Sequence, residues 1–304
     1  MQLTKEHFEP ISMDLRQAEE IKRPSLSFWA DVWRRLKMNR IAMVSLVFIL
    51  VLVACAIFIP MISSNNYYST DLTGKNKPPS AEHWFGTDDL GRDVFVRIWY
   101  GARISLEVGF AAAFIDLIVG VIWGGIAGFY GGRVDEFMMR IADILFAIPY
   151  LLVVILLMVV MEPGVGTIIV ALTITGWIGM ARIVRGQIMQ LKAQEFVLAA
   201  RSLGADNNRL IFKHLVPNAL GPIIVTLSLT VPTAIFTESF LSFIGLGVAA
   251  PIASWGTMSA EGLPAMKYFP WRLMFPAVFI SLTMLAFNLF GDGLRDAVDP
   301  RLRK

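Results

Sequence analysis

Cysteine is nearly absent from this sequence: 304 residues contain one, Cys55, set within an apolar run. It has no second thiol for an internal disulfide and no companion for a metal site, so it reads as a small buried hydrophobe. Histidine is almost as scarce. His7, His83 and His214 lie far apart, which argues against a metal or catalytic centre. Charged residues make up 17% of the chain, against about 25% in a soluble domain. Hydrophobic residues reach 56% and the mean hydropathy is +0.61. With the apolar residues gathered in long blocks, that shortfall of charge points to lipid as the solvent. The net charge of +3 is too small to argue for nucleic acid. A phosphate-gripping loop is missing too. The string nearest to Gly-x4-Gly-Lys-[Ser/Thr], Gly86 to Asp93, puts Arg92 where the lysine belongs and Asp93 where the hydroxyl belongs. Its two further acids, Asp88 and Asp89, would repel phosphate. Nor does the start resemble a signal peptide. Glu6, Glu9, Asp14, Glu19 and Glu20 precede any long apolar run, whereas a signal peptide places its apolar core soon after its first basic residues. The first apolar run is therefore expected to be a retained anchor.

What is present is a series of apolar runs long enough to cross about 30 Å of hydrocarbon at about 1.5 Å per residue. They lie near 41–61, 104–130, 137–161, 167–189, 217–244 and 273–290. The sequence thus predicts an all-α polytopic membrane protein with six transmembrane helices. Residues 1–40 form a tail, 62–103 an outer loop, 104–290 a five-helix core and 291–304 a second tail. Most of the 27 Lys and Arg fall in the first tail, the loop near 131–140, the 180–216 segment and the last tail. The positive-inside rule then places both termini in the cytoplasm, as an even number of spans requires.

Within this frame several features stand out. Trp29, Val32, Trp33 and Leu36 share one helical face, with Arg34, Arg35 and Lys37 beside it. This predicts a helix over 25–37 lying in the inner membrane interface. Gly120, Gly124, Gly128 and Gly132 recur every four residues, leaving a groove into which another helix packs closely. Pro222, Pro232 and Pro276 are expected to kink their helices. Asp116 and Glu238 fall inside predicted spans, where a carboxylate must be paired, protonated or facing water. Either lines a solute path, with Ser242, or makes a structural hydrogen bond between helices. Asn288 is a candidate for such a bond and for the path.

Residues 195–217 form the other unusual segment. Helix formers from Glu195 end at Gly204, the residue expected just past a helix C-terminus. A second short helix is expected over 207–215, and Pro217 suits the first turn of the next span. The small residues Ala199, Ala200 and Gly204 would let another protein pack close. On these grounds alone, docking and a plain loop stay equally open.

The string Ala199-Ala200-x3-Gly204 followed by Pro217 resembles the EAA signature of ABC importer permeases, with Leu198 in the place of the signature glutamate. Three further strings are similar to those of the dipeptide/oligopeptide/nickel permease family, C-type subunit. They are Phe85-Gly-Thr-Asp-Asp-Leu-Gly-Arg-Asp93 with Gly101-Ala-Arg-Ile-Ser-Leu106, then Thr237 to Gly247, then Gly291 to Pro300. The resemblance implies the type I ABC importer permease fold and transport of oligopeptides or dipeptides, with nickel or another small solute as the alternative within the family. It implies a homologous second permease in a heterodimer, two cytoplasmic ATPases that bind the ATP and Mg, and an extracytoplasmic solute-binding protein. The chain itself would hold no cofactor or metal and catalyse nothing. Glu195, Ala199, Ala200, Arg201, Gly204, Ala205, Asp206 and Pro217 would form the segment that couples to the ATPases. Asp88, Asp89, Arg92 and Asp93 are expected to form an ion-paired extracytoplasmic cap, either structural or in contact with the binding protein. The rival class, an ion-coupled secondary transporter, would want paired intramembrane carboxylates or broken helices in two inverted halves.

Overall fold

The computed structural model describes residues 28–63, 65–249 and 251–298. The polar start of the first tail and the last six residues, including Pro300 of the final string, lie outside the described residues. Among the described residues, five helices are long and apolar enough to cross a membrane. They are α2 (Arg40–Ile62), α3 (Val94–Tyr130), α6 (Val165–Leu191), α8 (Leu220–Phe243) and α10 (Trp271–Val298). The amphipathic helix α1 (Phe28–Met38) precedes them, with Val32 and Leu36 buried against Ala42 and Ala297. Two shorter pieces, α4 (Gly132–Ala147) and α5 (Tyr150–Met161), stand where the third span was expected.

That third run is the main departure from the sequence reading. Rather than one helix over 137–161, α4 and α5 meet at a bend of 80°. Pro149 causes it: proline lacks the N–H the helix needs and drives its predecessor out of the helical region. Ile148 is accordingly extended, at φ −72° and ψ 127°. The 12 residues of α5 reach only about 18 Å at 1.5 Å per residue, too short to cross hydrocarbon alone. The pair therefore makes at most one broken span.

Other boundaries shift outward. The second helix begins at Val94 rather than 104, because Asp93 caps it by accepting the Val96 N–H at 3.0 Å. The last helix continues to Val298 rather than 290. Pro222 sits in the first turn of α8, where its missing N–H costs little, and Pro232 lies inside the same continuous helix.

The glycine stripe does what its spacing predicts. A Cβ at Gly120 would fall 2.6 Å from Met180 Cβ, and one at Gly128 would fall 2.7 Å from the Arg185 carbonyl; Gly124 meets the Ala181 backbone in the same way. Helices α3 and α6 therefore touch backbone to side-chain root along three turns. Gly132 does not belong to this groove: it follows the end of α3, at φ +52°, with open space around it.

Candidate functional site: a cleft, a cap and a docking segment

At one end of the bundle the chain between α6 and α8 lies across the helix ends. Its first part is α7 (Glu195–Ser202), closed by Gly204 at φ +85°. The Ala205 N–H reaches the Ala200 carbonyl at 3.1 Å and the Gly204 N–H reaches the Arg201 carbonyl at 3.0 Å, the paired bonds of a Schellman cap. The expected second helix is less regular than its composition suggests: one short turn at Asn207–Arg209, a π-helical turn at Leu210–Leu215, then Val216–Asn218 carrying Pro217. Val197, Leu210, Ile211 and Leu215 are buried with Phe129 and Ile188, so the underside is seated on α3, α6 and α8. Lys192 holds the other side by donating to the Gly128 carbonyl at the end of α3 at 2.9 Å.

The upper side of this segment is open. Glu195, Ala199, Arg201, Gly204, Asp206 and Pro217 are exposed, whereas Ala200 and Ala205 are half-buried and belong to the seat. The sequence reading overlooked the apolar side chains among the exposed ones: Leu203 is 89% exposed, and Leu198, Phe212 and Phe196 are exposed on the same stretch of chain.

The opposite end carries the cap. Arg92 meets Asp88 at 2.6 Å, and His83 Nδ1 lies 2.8 Å from Asp93. The network is wider than the four residues named from the sequence. Arg97, 2% exposed, lies 3.4 Å from Asp88 and 2.9 Å from Glu261, which also accepts from Arg92 at 3.0 Å. Arg272 meets Asp89 at 3.1 Å, Asn76 at 3.2 Å and the Glu261 carbonyl at 3.2 Å. Glu261 lies on α9 (Trp255–Gly262), so the cap ties the first loop to α3, α9 and the start of α10. Buried charges of this kind persist only when paired and hydrogen-bonded. One sequence signal could have found a member: Glu261 is the only acid between 245 and 272.

Between the two ends the two predicted intramembrane acids part company. Glu238 is fully buried among α3, α8 and α9. It accepts from Ser105 at 2.8 Å and from Ser242 at 2.8 Å, with Ser239 at 3.4 Å. Of the alternatives open in the sequence, Glu238 has the geometry of a structural bond between helices, to Ser105 of α3, while its bond to Ser242 lies within α8. Neither Glu238 nor Ser242 lines either of the two large cavities described below, and Asn288, exposed on α10, lines neither of them.

Asp116 is different. It lines a cleft of about 490 Å³ bounded by α3, α5, α6 and α8. Gly176 of α6 stands against it so closely that a Cβ there would strike the carboxylate. Tyr150 of α5 shares the cleft, as do Thr226, Thr230, Thr233 and Thr237 along one face of α8. A larger groove, about 820 Å³, lies between α1 and α3, α8 and α10; its walls are almost wholly apolar and carry no charge.

Between α4 and α6, Arg182 pairs with Asp143 at 2.8 Å and Arg185 with Asp135. Asp143 and Glu107 are both exposed on their helices.

This architecture and sequence have relatives. A chain of the MetNI methionine ABC transporter, solved in inward-facing conformations, superposes with a TM-score of 0.55 at 18% identity, covering 66% of this chain and 94% of that one. That likeness shows the fold, the type I importer permease arrangement. The oligopeptide transport system permease protein OppC of Bacillus subtilis is 62% identical over 302 residues, 99% of both chains. The dipeptide transport system permease protein DppC of the same organism is 61% identical over 290 residues, 95% of this chain and 91% of that one. OppC of Escherichia coli K12 is 42% identical across 94% of this chain and 95% of its own. Residues 27–79 match the N-terminal TM domain of oligopeptide transport permease C. With residues 120–304 matching as well, the chain belongs to the family of binding-protein-dependent transport system inner membrane components.

Proposed function

We propose that this chain is the membrane-spanning permease subunit of an ATP-binding-cassette importer that carries oligopeptides or dipeptides inward across the cytoplasmic membrane. The observation that carries the reading is the 62% and 61% identity, along nearly the whole chain, to an oligopeptide and a dipeptide permease. The subunit works by alternating access beside a homologous second permease. Two cytoplasmic ATPases, which bind the ATP and Mg, drive it, and an extracytoplasmic binding protein delivers the solute. This chain binds no nucleotide and performs no covalent chemistry. Both termini are cytoplasmic, so the 195–217 segment faces the ATPases and the cap faces outward.

Three features give each part its task. Exposed Leu198, Leu203 and Phe212, on a segment whose underside is buried, suit the apolar groove of a cytoplasmic partner. Ala199, Arg201, Gly204 and Asp206 lie on the same open side, and the ordered seat beneath them carries movement into α3, α6 and α8. The cleft beside Asp116 is a wall of the solute route, since a buried carboxylate needs water or a partner and the cleft offers space for both. The cap residues Asp88, Asp89, Arg92 and Asp93 hold the outer loop rigid for the binding protein.

Uptake of labelled peptides by a strain lacking this gene, and by the same strain complemented, tests the reading. Peptide uptake is expected to fall on deletion and return on complementation. Unchanged peptide uptake together with lost uptake of nickel would overturn the solute assignment.

A further inference from the structure

The cleft has a chemical bias beyond its place on the route. Its one ionisable acid, Asp116, is 95% buried by its relative exposure of 5%, yet its Oδ1 has no hydrogen-bond partner among the described residues. The Tyr150 hydroxyl in the same cleft is also unpartnered. Along α8 the four threonine hydroxyls spend their protons on their own helix. Thr226 donates to the Pro222 carbonyl at 2.8 Å, Thr230 to Thr226 at 2.9 Å, Thr233 to Leu229 at 2.9 Å and Thr237 to Thr233 at 2.8 Å. Each threonine oxygen therefore keeps lone pairs for a visitor but no proton. No Lys, Arg or His is among the lining residues. The wall offers acceptors along α8 and one carboxylate; the Tyr150 hydroxyl is its free donor, and no cation stands among the lining residues.

An ammonium group has the opposite inventory: three donors, a positive charge and no acceptor. We infer that the Asp116 cleft is a subsite for the ammonium group of the passing solute, which for a peptide is its free N-terminus or a lysine side chain. Asp116 supplies the charge and the α8 threonine oxygens supply neutral acceptors spaced one helical turn apart, so the group is held loosely enough to move on. Gly176 is required here because any side chain would occupy the space beside the carboxylate. The inference rests on the cleft being part of the route.

The test uses the complete importer in proteoliposomes with its binding protein. A free-amine peptide without lysine and its N-acetylated form are supplied at equal occupancy of the binding protein. In Asp116→Asn, uptake of the free-amine peptide is expected to fall at least tenfold and uptake of the acetylated peptide less than twofold. Equal losses for both, or no loss, would overturn the ammonium assignment. A second readout works without the binding protein. In a chain whose Cys55 is replaced, a Thr233→Cys thiol is expected to react at least fivefold faster with a cationic than with an anionic methanethiosulfonate. Equal rates would also overturn the assignment. If modification at position 233 blocks neither peptide, the route reading itself fails. If it blocks both while Asp116→Asn preserves the ratio, only the ammonium subsite fails.

Discussion

Replacing Glu238 with alanine removes the acceptor of two buried serines. Ser105 of α3 and Ser242 of α8 each donate to it at 2.8 Å, while Ser239 at 3.4 Å contributes little. A buried hydroxyl left without a partner costs about 1–3 kcal/mol. Each serine can turn back to a carbonyl one turn earlier on its own helix, which recovers part of that loss. The space vacated by the side chain adds a cavity term. We expect a net loss of about 2–4 kcal/mol, equivalent to roughly 30- to 900-fold in the folding equilibrium. Glu238→Gln keeps an acceptor for one serine and offers an amide donor to the other, so it is expected to retain most of the stability. The assay is thermal or detergent denaturation of the purified importer, with peptide uptake normalised to folded transporter. The alanine variant is expected to unfold early and the glutamine variant to transport nearly as wild type. A stable alanine variant that cannot transport would refute the structural role and return Glu238 to the solute path.

Further outcomes follow from other parts of the molecule. Leu203→Asp is expected to uncouple ATP hydrolysis from transport with the chain still inserted, read as substrate-stimulated ATPase activity; Leu203 is 89% exposed, so the fold should be indifferent. Gly124→Leu forces a side chain into the Ala181 backbone and should lower stability by more than the usual ~1–3 kcal/mol of an overpacked core, measured by denaturation of the complex. With Cys55 replaced, a cysteine at Glu82 should label only from outside and one at Asp206 only from inside; the reverse pattern would overturn the proposed orientation.

The legible parts of this protein were those written in local periodicity. Apolar runs located five long helices, the four-residue glycine spacing located the α3–α6 groove, and Gly204 marked the cap of α7. The cap residues were found because they sit in one short string. Arg97, Glu261 and Arg272 escaped because their partners lie up to 196 positions away in the chain, from Asn76 to Arg272 on different elements. The break in the third apolar run was hidden for another reason. Hydropathy continues across Pro149, and only the backbone chemistry of proline shows that the run cannot be straight. Asp116 and Glu238 looked alike in sequence because neither carries any mark of what stands opposite; three serines stand opposite one and an open cleft opposite the other.

The 37 residues of α3 run without interruption from Asp93 in the cap to Tyr130 beside the docking segment. At 1.5 Å per residue this is a rod about 55 Å long. A tilt of only about 5° about one end would carry the other end through roughly 5 Å, close to one helical pitch. Its glycines lock it to α6, whose last turn leads within three residues to Glu195. On the proposed function the two helices would act as one lever arm pivoting at the ion-paired end, with Asp116 about six-tenths of the way along it. On the same proposal, a small displacement delivered to the 195–217 segment would reach the Asp116 cleft at about six-tenths of its amplitude, and the width of the proposed passage would follow it geometrically.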